Sequence, residues 1–442
     1  MKILYLFCDM LRAERLQTVN PNIQAKTPID KWFKKLGGTC FTNAYTPAPD
    51  TCRSIACFQT GLMPNKNGCR KIAQFAANYL ETEHHIFKTL YQEGFKIHAL
   101  VTPFCIPRGE YAKDFLDYVT PYYDFRTAIK AIQQCDAEKQ VISMILDDYH
   151  DAVDLSPTLW ADKVAQQHLS NAFEILFNEI PVSYFDKLFI FSDHGCTLED
   201  IDSQLKIDMI NDNRTKIVLF MHKKGDTLLT KNHNIVSILD IYPTTLDWLG
   251  RPYKHLDGIS LLKNELARNI VIEDNVYMPD IWNHLLTVYG IWGVRNKDYF
   301  FVQAVDDNYR LDLNRHYRLQ KFVDNDYITI LNPDEEILSD LRQEIEKQAC
   351  YYKEHQKILA QIERNHKMKF IAPLPTTSYL SNGKAIAYVD AQKYERNFNT
   401  MRYAIYAYLR RMILSNCLLK SIFIPLKNSL NFLVKMSTSL RK

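Results

Sequence analysis

Five short apolar runs punctuate the first half of the chain: Lys2 to Cys8, Ile97 to Val101, Val141 to Leu146, Leu188 to Ser192 and Ile217 to Met221. Each has the length of a buried strand, and amphipathic segments such as Ile86 to Glu93 and Trp160 to Asn178 separate them at helical spacing. That alternation predicts an α/β fold, a large mixed and mostly parallel sheet sandwiched by helices. Beyond about residue 264 the pattern shortens. Tyr289 to Val294 and Tyr299 to Ala304 read as antiparallel strands, and Asp334 to Tyr352 reads as a charged helix. The expected organisation is a principal domain over 1–264, a smaller α+β subdomain over 265–395 and a basic amphipathic helical tail over 396–442.

Composition changes this picture little until it is read by region. The 442 residues are 47% apolar and 24% charged, a globular balance that excludes disorder or a fibrous repeat. A net charge of +3 is too small for a dedicated nucleic-acid binder. The surplus is polarised, because residues 396–442 hold nine Lys/Arg and no Asp/Glu. Apolar residues interleave with these charges, so residues 405–442 suit either peripheral contact with an anionic membrane surface or packing on the domain or a second subunit. No run reaches the roughly 18 to 20 apolar residues that span a bilayer. The first ten residues carry one lysine and no small-residue cleavage site, and the ten cysteines form no CxxC pair. Both features predict a cytoplasmic chain with reduced thiols and no zinc ribbon.

Candidate chemistry gathers where strands end. Asp9 closes the first run, Asp147 and Asp148 the third, and Asp193 with His194 the fourth. One such acid is ordinarily a turn residue or a helix cap. Several converging at the carboxyl edge of one sheet repel each other, and a divalent cation offsets that repulsion. A second feature is the stretch NAYTPAPDTCRSIACFQTGLMPNKNG over 43–68. Pro47 and Pro49 bar a helix before Asp50, and Thr51 to Gln59 has no breaker, so Thr51 sits at a helix N-terminus that favours an anion. Read locally, the Thr51 hydroxyl is an ordinary N-cap.

This stretch resembles the signature of the sulfatase branch of the alkaline phosphatase superfamily, with Thr51 at the nucleophile position and Thr60, Gly61, Pro64 and Gly68 on the motif's later landmarks. Asp9 within FCDMLRA is similar to the family's first metal-binding Asp, and SDHG at 192–195 to its later metal motif. Leu198, Asp200 and Lys206 resemble the run that leads to a substrate-contacting lysine. Asp148 to His150 is similar to a D-x-H element whose histidine faces the leaving group. DIYPTTLDWLG at 240–250 and DGISL at 257–261 resemble the family's closing segments, and GVRNKDYF at 293–300 a fainter one.

The resemblance implies that 1–264 is the catalytic domain and that Asp9, Thr51, Asp193 and His194 hold one divalent cation. Zn²⁺ or Mn²⁺ suits these donors best, with Mg²⁺ or Ca²⁺ compatible. Asp148, His150, His233 and His255 match no two-metal spacing. The chain also departs from the family. Cys52, Arg53, Ser54 and Ile55 follow Thr51 where formylglycine conversion needs a Pro and an Arg, and the VTPF at 101–104 lacks the family's lysine and histidine. An unmodified threonine resembles the superfamily's phosphodiesterases and phosphoethanolamine or phosphoglycerol transferases. The implied activity is phosphoryl hydrolysis or transfer through phospho-Thr51, acting on a phosphorylated envelope glycan or glycolipid precursor. Lys206 and Arg53 would stabilise charge and His150 would protonate the leaving group. Two alternatives stay open: a catalytically silent binding module with the same fold, motivated by Ile55 and Thr102, and a sulfuric-ester hydrolase without formylglycine.

Overall fold

The structure, a computed structural model, describes residues 1–67, 69, 84–101, 115–198, 201–202, 210–263, 268–279, 285–305, 311, 313, 317–323 and 326–349. These belong almost entirely to the first of the two units into which the chain divides, Met1–Val276 with Tyr289–Val389. The tail expected over 396–442 lies outside the described residues.

Eight strands form the principal sheet: β1 (Lys2–Cys8), β2 (Gly38–Tyr45), β3 (Lys96–Leu100), β4 (Thr120–Tyr122), β5 (Gln140–Leu146), β6 (Lys187–Phe191), β7 (Leu219–Lys223) and β8 (Leu229–Ser237). Their order is β4-β3-β5-β1-β6-β7-β2-β8. All neighbours run parallel except β7, which is antiparallel to both β6 and β2. The five apolar runs of the sequence are β1, β3, β5, β6 and β7 within one or two residues. Strand alternation sends Ile3, Tyr5 and Phe7 of β1 into one core and Leu4, Leu6 and Cys8 into another on the opposite face. Both faces are therefore buried, as a parallel sheet requires.

Strands β2, β4 and β8 were not foreshadowed by an apolar run. β2 and β8 pair in parallel across 190 residues of sequence, and β8 is exposed over its first half, so its sequence LTKNHNIVS carries few consecutive apolar residues.

β1 lies between β5 and β6, so the chain leaves the sheet in opposite directions on its two sides. This is the switch point, where a crevice opens beyond the carboxyl ends of parallel strands. Cys8, Leu146 and Phe191 end there. The helix Thr51–Thr60 packs over the same region through Phe58, whose ring centroid is 5.5 Å from that of Tyr5 and 4.9 Å from that of Phe191. Burial of such a ring contributes about 2 to 3 kcal/mol.

A second sheet contains β9 (Ile270–Pro279), β10 (Leu285–Arg295), β11 (Tyr299–Val305), β12 (Arg318–Val323) and β13 (Asp326–Thr329), in the order β13-β12-β11-β10-β9. Its paired strands β10 to β13 are antiparallel, the arrangement expected for Tyr289–Val294 and Tyr299–Ala304. The helix over 335–349 buries Leu338, Leu341, Ile345 and Ala349, one stripe at helical spacing. Among the described residues, no helix is long and apolar enough to cross a membrane.

Candidate functional site

Asp9, one residue beyond β1, donates its main-chain N–H to the Leu146 carbonyl that ends β5, at 3.1 Å. Asp193 and His194 follow β6 after the single residue Ser192. The parallel register therefore brings three residues from two distant segments to one spot. Ligand atoms of Asp9, Asp193 and His194 all lie within 4.8 Å of one another, and all three residues are buried. The buried Cys8 thiol registers the convergence. Its pKa is pushed well up, first by burial and then by the charges of Asp148, Asp193 and Asp9.

Each donor is oriented. Asp193 Oδ1 accepts N–H bonds from Met10 at 2.9 Å and from His194 at 2.8 Å, while Asp193 Oδ2 is buried with no hydrogen-bond partner. His194 Nδ1 lies 2.7 Å from the Gly195 carbonyl, which only accepts, so Nδ1 carries a proton and the neutral ring presents the lone pair of Nε2. That lone pair faces Asp193 Oδ2 at 3.3 Å. Two lone pairs at this separation repel unless a cation lies between them. The unspent Asp193 oxygen, the Nε2 lone pair and the buried Asp9 carboxylate thus fit a divalent cation.

Gly195 is required by packing. A Cβ there would stand 2.1 Å from the Asn213 carbonyl oxygen, because segment 211–215 presses against this loop and Gly195 N–H bonds to the Arg214 carbonyl. Beyond the loop, Asp202 accepts from Arg12 Nη1 at 2.5 Å and from the Leu198 N–H at 2.7 Å, which ties the segment after His194 to the one after β1.

Thr51 Oγ1 stands 3.3 Å from His194 Nε2. The local reading of Thr51 as the N-cap is corrected here. Asp50 is the cap, in extended conformation, and its side chain accepts from the Arg53 N–H at 3.1 Å. Thr51 is the first helical residue, so its hydroxyl is not consumed in capping and points toward the His194 ring. The helix is anchored from within. Ser54 Oγ donates to the Asp193 carbonyl at 2.8 Å and lies 2.7 Å from Thr46 Oγ1, with both hydroxyl residues fully buried.

Arg53 does not face this crevice. It is 1% exposed, its Nε donates to Asp50, its Nη2 donates to Asp274 at 2.9 Å, and its Nη1 lies 3.6 Å from Glu273. Its role is to tie the start of the helix to the second sheet, and the expectation that it meets substrate is set aside. His150 lies on the helix Asp148–Leu155 after β5, half-buried, with Nδ1 3.5 Å from Asp151 rather than paired to Asp148. Burial lowers its pKa, but the charges of Asp9, Asp151 and Asp147 outweigh burial and hold it well above the ordinary histidine value. His233 bonds through Nδ1 to Thr42 Oγ1 at 2.8 Å, on the outer strand of the sheet. Lys206, Asp200, Gly68 and Thr102 to Phe104 lie outside the described residues.

The closing segments are architectural. Asp240 accepts from the Ser237 and Ile259 N–H groups at 2.7 and 2.8 Å and from Arg268, and Asp257 accepts from the Met63 N–H at 2.9 Å and pairs with Lys66. They clamp the far end of the helix, where Gly61 adopts φ 65° as its left-handed terminator.

No family model and no curated protein sequence matches the chain. Solved structures do. A Bacteroides thetaiotaomicron protein designated 4S-sulf, from a locus for glycosaminoglycan metabolism, superposes with a TM-score of 0.57 at 13% identity, covering 81% of this chain and 98% of its own. A Vibrio parahaemolyticus protein in the alkaline phosphatase superfamily gives 0.55 at 14% identity, over 82% and 87% of the two chains. The fold is alkaline phosphatase-like. The phosphonate monoester hydrolase of Silicibacter pomeroyi shares this fold, with a TM-score of 0.54 at 13% identity over 84% of this chain and 96% of that one. The alkaline phosphatase-like fold therefore places Asp9, Asp193 and His194 at the switch point of its principal sheet.

Sequence reasoning passed over Ser54 and Arg214. Ser54 lies inside the signature stretch, three residues after Thr51, so one helical turn was the available signal. Arg214 carries no local pattern, and only the tertiary approach of 211–215 to Gly195 brings it near.

Proposed function

We propose that the protein is a divalent-metal-dependent hydrolase or transferase of phosphoryl groups that works through a phosphorylated Thr51. The observation that carries this reading is the 3.3 Å approach of Thr51 Oγ1 to His194 Nε2, beside an Asp193 oxygen that has no hydrogen-bond partner. Asp9, Asp193 and His194 would hold the cation, with Thr51 Oγ1 beside them. When bound there, it supplies Lewis-acid chemistry that makes the Thr51 hydroxyl easy to deprotonate near neutral pH.

The chain's own groups do the rest. Thr51 Oγ, its proton released to solvent, attacks phosphorus as the bond to the leaving oxygen breaks, with the positive end of the helix dipole beside the phosphoryl oxygens. His150, on the helix that follows β5, would give a proton to the leaving oxygen. Water or an acceptor hydroxyl then takes the phosphoryl group, the bond to Thr51 Oγ breaks, and the hydroxyl is restored. A phosphoryl ester is favoured over a sulfuryl ester because Cys52 to Ile55 lack the Pro and Arg that formylglycine conversion needs. The proposed substrate is a phosphorylated envelope glycan or glycolipid precursor at the cytoplasmic membrane face, with residues 405–442 as the membrane contact.

The test uses a bis-aryl phosphate with added Mn²⁺ or Zn²⁺. Wild-type protein turns over and shows a phosphate adduct on Thr51 by mass spectrometry; Thr51→Ala and Asp193→Ala fall to background. Equal behaviour of wild type and Thr51→Ala would falsify the proposal and leave a binding module.

A further inference from the structure

We propose that Arg214 is the guanidinium that grips the non-bridging oxygens of the substrate's tetrahedral oxyanion group. The inference rests on the reading of Thr51 as nucleophile and adds to it the side chain that recognises the group under attack.

Charge accounting around the crevice leads to it. Four described cations hold the segments that flank Thr51 and His194. Arg12 is buried against Asp202, Arg53 against Asp50 and Asp274, and Lys216 against Glu14 at 3.2 Å. A cation already paired with a carboxylate in the interior has little attraction left for a second anion. Arg214 differs. It is partly exposed, and no carboxylate among the described residues lies within ion-pair distance of it.

Its position joins the two halves of the site. The Arg214 carbonyl accepts the N–H of Gly195, the residue after His194, at 2.8 Å. The Arg214 Nη2 donates to the carbonyl of Pro49, two residues before Thr51, also at 2.8 Å. The guanidinium thus stands between the metal motif and the loop that delivers the nucleophile. That bond holds Nη2, Nε is buried with no hydrogen-bond partner, and no bond of Nη1 is found among the described residues. A fixed, charged fork with free donors matches phosphate or sulfate oxygens in pairs. Arg214 also supplies from a different segment a cation that the sequence lacks at Ile55 and Thr102.

Phosphate and sulfate share this chemistry, so the test titrates full-length, Mn²⁺-loaded protein with inorganic phosphate and inorganic sulfate in separate calorimetric arms. In Arg214→Ala, phosphate affinity is expected to fall about tenfold or more while Mn²⁺ affinity and thermal midpoint hold. Arg214→Lys should recover part of the loss, because it restores the charge without the fork. With the aryl phosphate, KM should rise more than kcat falls. A loss seen in the sulfate arm alone supports Arg214 and moves the substrate class to sulfuryl esters. Unchanged anion affinity in Arg214→Ala overturns the proposal, as does a parallel loss of Mn²⁺, which would mark a structural residue. Wild-type protein that takes up no Mn²⁺ overturns the metal reading instead, and Arg214 is then judged on the metal-free phosphate titration by the same criterion.

Discussion

The two ends of the helix Thr51–Thr60 are equally rich in motif residues and use them differently. At the far end every carboxylate oxygen is occupied: Asp240 takes two main-chain N–H groups and Arg268, and Asp257 takes the Met63 N–H and Lys66. At the near end one oxygen of Asp193 has no hydrogen-bond partner, and Arg214 has no carboxylate partner among the described residues. Satisfied polar groups hold a fold together, whereas buried groups left unspent cost stability and persist where a ligand completes them. The difference separates residues that look alike in sequence into those that build the scaffold and those that the proposed chemistry would use.

The two ends should differ most in their effect on activity. Thr51→Ala should reduce turnover at least a thousandfold, since it removes the proposed nucleophile outright, while the melting temperature changes by no more than a few degrees. Asp240→Ala should do the reverse. Removing it leaves Arg268 and two N–H groups without their acceptor, and breaking such a buried pair costs about 3 to 5 kcal/mol. Urea denaturation should register that loss, and turnover per folded molecule should be unchanged. A melting curve for Asp240→Ala that overlays the wild type would undo the division between the two ends.

What could be read in the sequence follows the same division. Asp9 and the Asp193-His194 pair were legible because each ends a continuous apolar run, and strand length alone locates the carboxyl edge. Thr51 was placed by its motif, although its cap was not, since Asp50 and Thr51 are both good caps and only the chain's extended angles at Asp50 decide between them. Arg53 was misread because Glu273 and Asp274 lie some 220 residues away in sequence. β8 was missed because its exposed half breaks the apolar run. Local periodicity reports local burial, and pairings across hundreds of residues leave no trace in it.

A third expectation concerns pH and separates loss of fold from loss of chemistry. His98 on β3 is buried, with Nδ1 3.1 Å from the Tyr122 hydroxyl, and burial lowers its pKa from 6.5 to about 4. The folded state keeps this ring neutral, and the unfolded chain does not. Its contribution is therefore complete above pH 6.5 and is lost as pH falls toward 4. Stability should drop by about 2 kcal/mol between pH 7.5 and 5 from this group alone. His98→Gln should flatten that slope in urea titrations. If it leaves the slope unchanged, acid sensitivity arises elsewhere, and an activity profile below pH 6 would then need a different explanation.

The smallest expected effect sharpens the comparison most, because it falls on a residue of the near end whose hydroxyl is already engaged. Ser54 Oγ joins the Asp193 carbonyl to Thr46, so it holds the helix that begins at Thr51 at a fixed distance from Asp193 and His194. Groups that orient metal ligands in this indirect way are worth about tenfold or more in affinity. Ser54→Ala should therefore raise the Mn²⁺ dissociation constant about tenfold, about 1.4 kcal/mol, in a titration that needs no substrate. Asp257→Ala, one helix length away, should leave that constant unchanged while lowering the melting temperature. Equal Mn²⁺ affinities in wild type and Ser54→Ala would show that Asp193 is held well enough by Met10 and His194 alone, and that the hydroxyl serves packing at both ends of the helix alike.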